Sequence, residues 1–124
     1  MSAIKKLQGL AESVLEEMGI KNALVDIYLA SDDLMAEINY RYRKKKEPTT
    51  VLSFPAADGP YPEISQRPLG EIYLAPRLIK KKKQKIDGLL IHGLLHLVGY
   101  DHQKQLESKK MEEKEAELKR KLFV

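Results

Sequence analysis

The chain has 124 residues, 43% of them apolar and 32% charged, with a net charge of +4. That length supports one hydrophobic core and excludes two, and the composition excludes an intrinsically disordered chain. Cysteine is absent, which excludes disulfides and thiolate metal ligands and leaves nitrogen and oxygen to hold any metal.

Ile4, Leu7, Ala11, Val14, Leu15 and Met18 recur at helical spacing, with Ser2 as the capping residue and Gly19 as the stop. Acidic residues run through this pattern, which does not suit a signal peptide. Over residues 23–30, Val25, Ile27 and Leu29 alternate with Asp26 and Tyr28, predicting a strand whose first set faces inward. Ser31 caps a short second helix in which Asp32 and Asp33 complement the helix dipole and Leu34 and Ile38 face inward. The β-branched and aromatic stretch TTVLSFP, residues 49–55, is a second strand that Pro55 ends.

Residues 55–68 contain four prolines and a glycine in fourteen positions, a loop of the length that binding or lid elements and mobile segments use. LGEIYLA, residues 69–75, is the third strand, closed by Pro76. The basic 80s lead into a helix through about Val98 that is apolar almost all the way round, the mark of a central, buried helix. After His102 comes a charged helix with Leu106, Met111, Leu118 and Leu122 as its inner stripe. The whole is expected to be one domain, residues 1–124. The longest uncharged runs, such as Gly88–Tyr100, are shorter than the roughly 18–20 apolar residues of a membrane span, and the expected location is the cytoplasm.

Positive charge is concentrated in two tracts. RYRKKK, residues 41–46, places Arg41, Arg43, Lys44, Lys45 and Lys46 together, and KKKKQK, residues 80–85, begins with Lys80, Lys81, Lys82 and Lys83. Either tract suits a solvated surface, and the pair suits a polyanion such as RNA.

The chain's three histidines all fall within HGLLHLVGYDH, residues 92–102. His92 and His96 are four apart, so on a helix their rings project from one face one turn apart. Gly99 permits the turn that ends a helix, and His102 follows three residues later as a third ligand. Burying three unpaired imidazoles among Leu94, Leu95, Leu97 and Val98 is expensive, which favours metal binding. Three neutral imidazoles with one open position make a catalytic zinc arrangement, one ion per chain. The spacing is that of the metzincin proteases, except that Gly93 stands where their general-base glutamate does.

HGLLHLVGYDH, together with NYRYRKKKEPTTVLSFP and LGEIYLA, resembles the YbeY family of bacterial rRNA-maturation endoribonucleases, and the likeness runs from about Ile38 to Leu118. The resemblance implies zinc ligation by His92, His96 and His102, with Arg43 and His92 as the catalytic residues. It also implies a zincin-like α+β fold: a small mixed sheet of about three strands, four to five helices and a central histidine-bearing helix, the family's N-terminal strand being absent. The implied activity is zinc-dependent, single-strand-specific cleavage in ribosomal RNA maturation, chiefly at the 3′ end of small-subunit rRNA, and in ribosome quality control. Ribosomal or ribosome-assembly proteins are its further implied partners. The chain departs from the family pattern at Lys46, Thr50 and Glu71, where aspartates are usual.

The chemistry of the residues agrees with that reading. Phosphodiester hydrolysis needs a nucleophile, a Lewis acid and a cation against the developing negative charge, roles that zinc and Arg43 suit. The guanidinium of Arg43 matches phosphate bidentately, whereas Lys44, Lys45 and Lys46 act as point charges. Tyr40, Tyr42, Phe54 and Tyr61 are the candidates for base stacking. Two rival readings are a peptidase or other hydrolase using the same metal, and a non-catalytic ribosome-associated factor in which zinc pins the last helix.

Overall fold

The computed structural model describes the backbone of residues 2–57, 66–99 and 105–122, and side chains from 109 onward in the last segment. Among the described residues eight elements follow one another: α1 (Ala3–Glu17), β1 (Ala23–Leu29), α2 (Asp32–Arg43), β2 (Val51–Pro55), β3 (Arg67–Leu74), α3 (Pro76–Lys81), α4 (Ile86–Leu97) and α5 (Gln105–Leu122). The fold is α+β. His102, Tyr61 and the side chain of Leu106 lie outside the described residues.

Local chemistry sets the first boundaries. Ser2 accepts from the Lys5 amide at 3.3 Å and Ser31 from the Leu34 amide at 3.1 Å, so both predicted caps satisfy amides that have no partner within the helix. Pro76 opens α3 in the first helical turn, where its missing N–H costs nothing. The basic run beyond it leads into the long helix as the sequence predicts, but begins inside α3, a short helix that the sequence does not mark. It closes α3 and turns through Lys83, whose φ is 56°, before α4 begins.

The sheet order is β1-β3-β2, with β1 parallel and β2 antiparallel to the central β3. The register between β1 and β3 slips at Leu24/Val25, opposite Pro68 and Gly70. A bulge here accommodates a proline that cannot donate to the ladder. Gly70 has φ +145°, and a Cβ at that position would lie 2.2 Å from the Phe54 carbonyl oxygen, so β2 and β3 approach this closely only because the residue is glycine.

The two sheet faces carry two apolar clusters. On one face Ile27, Ile72 and Leu74 pack with Leu7, Ala11 and Val14 of α1, with Leu90, Ile91, Leu94 and Leu95 of α4, and with Met111 and Leu118 of α5. On the other, Leu52 meets Met35 of α2 with Leu78 of α3 and Ala75, the residue before that helix, flanked by Ile38, Phe54 and Tyr73. Two inward-facing expectations are corrected. Leu29 is 40% exposed because β1 is an edge strand and Leu29 its last residue. Leu34 is 43% exposed because the inner face of α2 is carried by Met35 and Asn39, with Ile38 partly buried.

Candidate active site

Helix α4 packs against β2, β3, α1 and α5 and carries both described histidines on its one partly solvent-facing side. Its neighbours Leu90, Ile91, Leu94 and Leu95 are fully buried, so the hydrophobic effect fixes the helix rotation that turns His92 and His96 outward. Their rings stand edge to face with centroids 4.7 Å apart, and the two Nε2 atoms approach to 3.1 Å. On the other side of the first ring, Nδ1 of His92 lies 2.6 Å from Oε1 of Glu115 on α5. The helix ends as its sequence predicts: Val98 is the C-cap, and Gly99, at φ +109°, turns the chain away.

The remaining wall comes from α2 and β2. A cleft of about 630 Å³ is lined by Tyr42 and Arg43 of α2, by Thr49, by Val51 to Pro55 along β2, and by His92, His96 and Leu97 of α4. Arg43 is the last residue of α2, and Lys44 caps the helix in the left-handed conformation at φ 60°. The following chain is tied back by Asn39, whose buried Nδ2 donates to the Glu47 carbonyl at 2.7 Å. A cation at a helix C-terminus is favoured by the helix dipole, which is one reason the basic tract sits where it does.

Arg43 and two of the three histidines thus share one cleft. Lys44, Lys45, Lys46 and Lys80 to Lys83 are exposed and do not line it, and Arg41 lines a neighbouring cleft of about 510 Å³ with Asp26, Glu37, Glu71 and Tyr73. There the Tyr73 hydroxyl donates to Glu71 at 2.7 Å, and this bond, aided by burial, pushes the phenol up to about 12. Glu71 therefore belongs to a different cleft from the histidines. Thr50 is buried with its carbonyl accepting from Ala75, and Lys46 is exposed.

Gly93 has a packing explanation. A Cβ there would come within 2.9 Å of Ser53 Oγ and 3.3 Å of two Ile72 carbons, so α4 lies against the sheet at this residue and position 93 has no room for a glutamate side chain.

The donor set suits zinc. Two nitrogens bound at about 2.0–2.1 Å around a tetrahedral ion stand about 3.3–3.4 Å apart, close to the 3.1 Å between the two Nε2 atoms. Among the described residues no group of three potential ligands occurs, the third histidine of the motif being outside them.

Glu115 is missed by reading the sequence because its helix is rich in glutamates and only the apolar residues of its inner stripe stand out. A signal is present: it sits four residues after Met111 and three before Leu118, on the inner stripe.

A small α+β chain with an outward-facing histidine pair and an arginine in one cleft has the parts of a hydrolase. The profile of the family described as Endoribonuclease YbeY matches residues 2–122, and the chain belongs to that family of endoribonucleases. Its relatives include Endoribonuclease YbeY of Persephonella marina, 40% identical with 75% of this chain and 65% of the relative covered. That of Aquifex aeolicus is 33% identical, with 85% and 73% covered. The chain thus spans about two thirds of the length of the first of these. A solution structure of a Thermotoga maritima protein superposes with a TM-score of 0.57 at 32% identity, covering 95% of this chain and 82% of that one.

Proposed function

We propose that this protein is a zinc-dependent endoribonuclease that cleaves single-stranded ribosomal RNA in the cytoplasm, at the 3′ end of the small-subunit rRNA and in ribosome quality control, on a zincin-like scaffold. The observation that carries the reading is the single cleft lined by Arg43, His92 and His96. His92 and His96 would hold the ion, with His102 as the third ligand. Bound there, zinc supplies Lewis acidity and lowers the pKa of a coordinated water.

The chain's own residues supply the rest. Arg43 presents a planar fork to the scissile phosphate and offsets charge that grows as the phosphorus is attacked. Tyr42 and Phe54, whose rings lie 5.0 Å apart, give the flanking bases an aromatic wall. The tracts 41–46 and 80–83 gather the polyanion. The peptidase alternative is disfavoured by Gly93, where the zincin base has no space. Among the described residues no helix is long and apolar enough to cross a membrane.

The reading is tested by elemental analysis of zinc-treated protein. Close to one equivalent per chain is expected, falling sharply in His96→Ala, and an unchanged content in that variant removes the site.

A further inference from the structure

The inner face of α5 carries Met111, Glu115 and Leu118, and the two apolar residues are each only 1% exposed. Placing a carboxylate between them sacrifices hydration, and the loss is offset from two sides. Oε1 of Glu115 lies 2.6 Å from Nδ1 of His92, and Oε2 lies 4.0 Å from the Lys119 ammonium. A carboxylate only accepts, so the N–H at Nδ1 donates, and a neutral imidazole with its proton there presents Nε2 as a lone pair. That is the nitrogen facing His96 at 3.1 Å.

We infer that Glu115 is a positioning residue for His92: it fixes the ring's tautomer and orientation, and so makes metal capture by the histidine pair depend on docking of the C-terminal helix. Apolar packing through Met111 and Leu118 already joins α5 to the core. A carboxylate among them that meets the ring nitrogen remote from His96 is what a histidine ligand needs from its surroundings. The metal part of the inference rests on the zinc reading above, whereas the tautomer does not.

The two parts are measured separately on the full-length chain. Long-range proton–nitrogen spectra of histidine-labelled, metal-free protein, recorded above the imidazole titration range, should show His92 protonated at Nδ1 in the wild type and a mixture of tautomers in Glu115→Ala. Zinc affinity, by competition with a chromophoric chelator, should fall about 10- to 100-fold in Glu115→Ala and less in Glu115→Gln, which keeps an accepting oxygen.

The inference is overturned by a His92 proton at Nε2 in the wild type, or by a tautomer and a zinc affinity that Glu115→Ala leaves unchanged. A lowered melting temperature of the metal-free variant, with tautomer and affinity intact, overturns it too, since Glu115 would then be only a clasp between helices. A tautomer that changes as expected in a wild-type protein that binds no zinc supports the positioning of His92 and removes the zinc reading instead.

Discussion

At the scale of the residue, Arg43 carries the most specific part of the proposed chemistry. It lines the histidine cleft from the end of a helix and is proposed to meet phosphate. Arg43→Ala is therefore expected to keep zinc content and melting temperature while slowing single-turnover RNA cleavage by about a hundredfold or more, the usual effect of removing a donor to a developing anion. Arg43→Lys should recover only part, because an ammonium lacks the bidentate fork. Full activity in Arg43→Ala would move the role to another cation.

His92 and His96 are legible in the sequence because their spacing of four sets both rings on one helix face, whereas Arg43 is picked out only by the family resemblance. Glu115 is legible only as a carboxylate on the inner stripe of its helix, because its partner 23 residues away leaves no local pattern. Asn39, buried and holding the loop after Arg43, is hidden by its ordinary place in a polar helix.

At the scale of the element, α4 joins the core to the chemistry. Its apolar residues are legible as a buried helix, and its glycine only as a missing base. The structure gives Gly93 a positive role: it lets the helix settle onto Ser53 and Ile72. Gly93→Glu, which restores the metzincin pattern, should therefore create no peptidase. It should lower stability by roughly 2–5 kcal/mol, through overpacking and a buried carboxylate. Thermal unfolding measures this, and a normally stable variant that hydrolyses peptides would contradict it.

The break between α3 and α4 is invisible in the sequence for a physical reason. The lysines from 80 onward favour helix by propensity, and the turn at Lys83 is imposed by where α3 and α4 pack rather than by a glycine or proline. The exposed Leu29 and Leu34 show the same limit. Periodicity marks apolar positions, but edge strands and helix rotation decide which of them are covered.

Over the whole molecule, among the described residues, the two lysine tracts stand apart from the histidine cleft. Of the cations in the tract 41–46, only Arg43 lines the histidine cleft, and Lys80 to Lys83 line neither that cleft nor its neighbour. Changing Lys80 to Lys83 to glutamine should weaken binding and flatten its salt dependence by about 0.7 log units per log of salt for each single-strand phosphate that the protein no longer neutralises. The single-turnover rate at saturating RNA should stay close to wild type. A collapsed saturating rate would place the tract in the reaction, and an unchanged salt slope would make it a solvated surface.

Metal-assisted cleavage of RNA at the cleft shared by Arg43 and the histidine pair is the claim on which the rest depends. The direct measurement is incubation of zinc-loaded protein with a single-stranded fragment from the 3′ end of small-subunit rRNA, alongside a peptide substrate, with chelator-treated and His96→Ala protein in parallel. Internal cleavage of the RNA that disappears on chelation and in His96→Ala, with the peptide intact, is the predicted result. RNA cleavage that survives both treatments, or hydrolysis of the peptide instead, would contradict it.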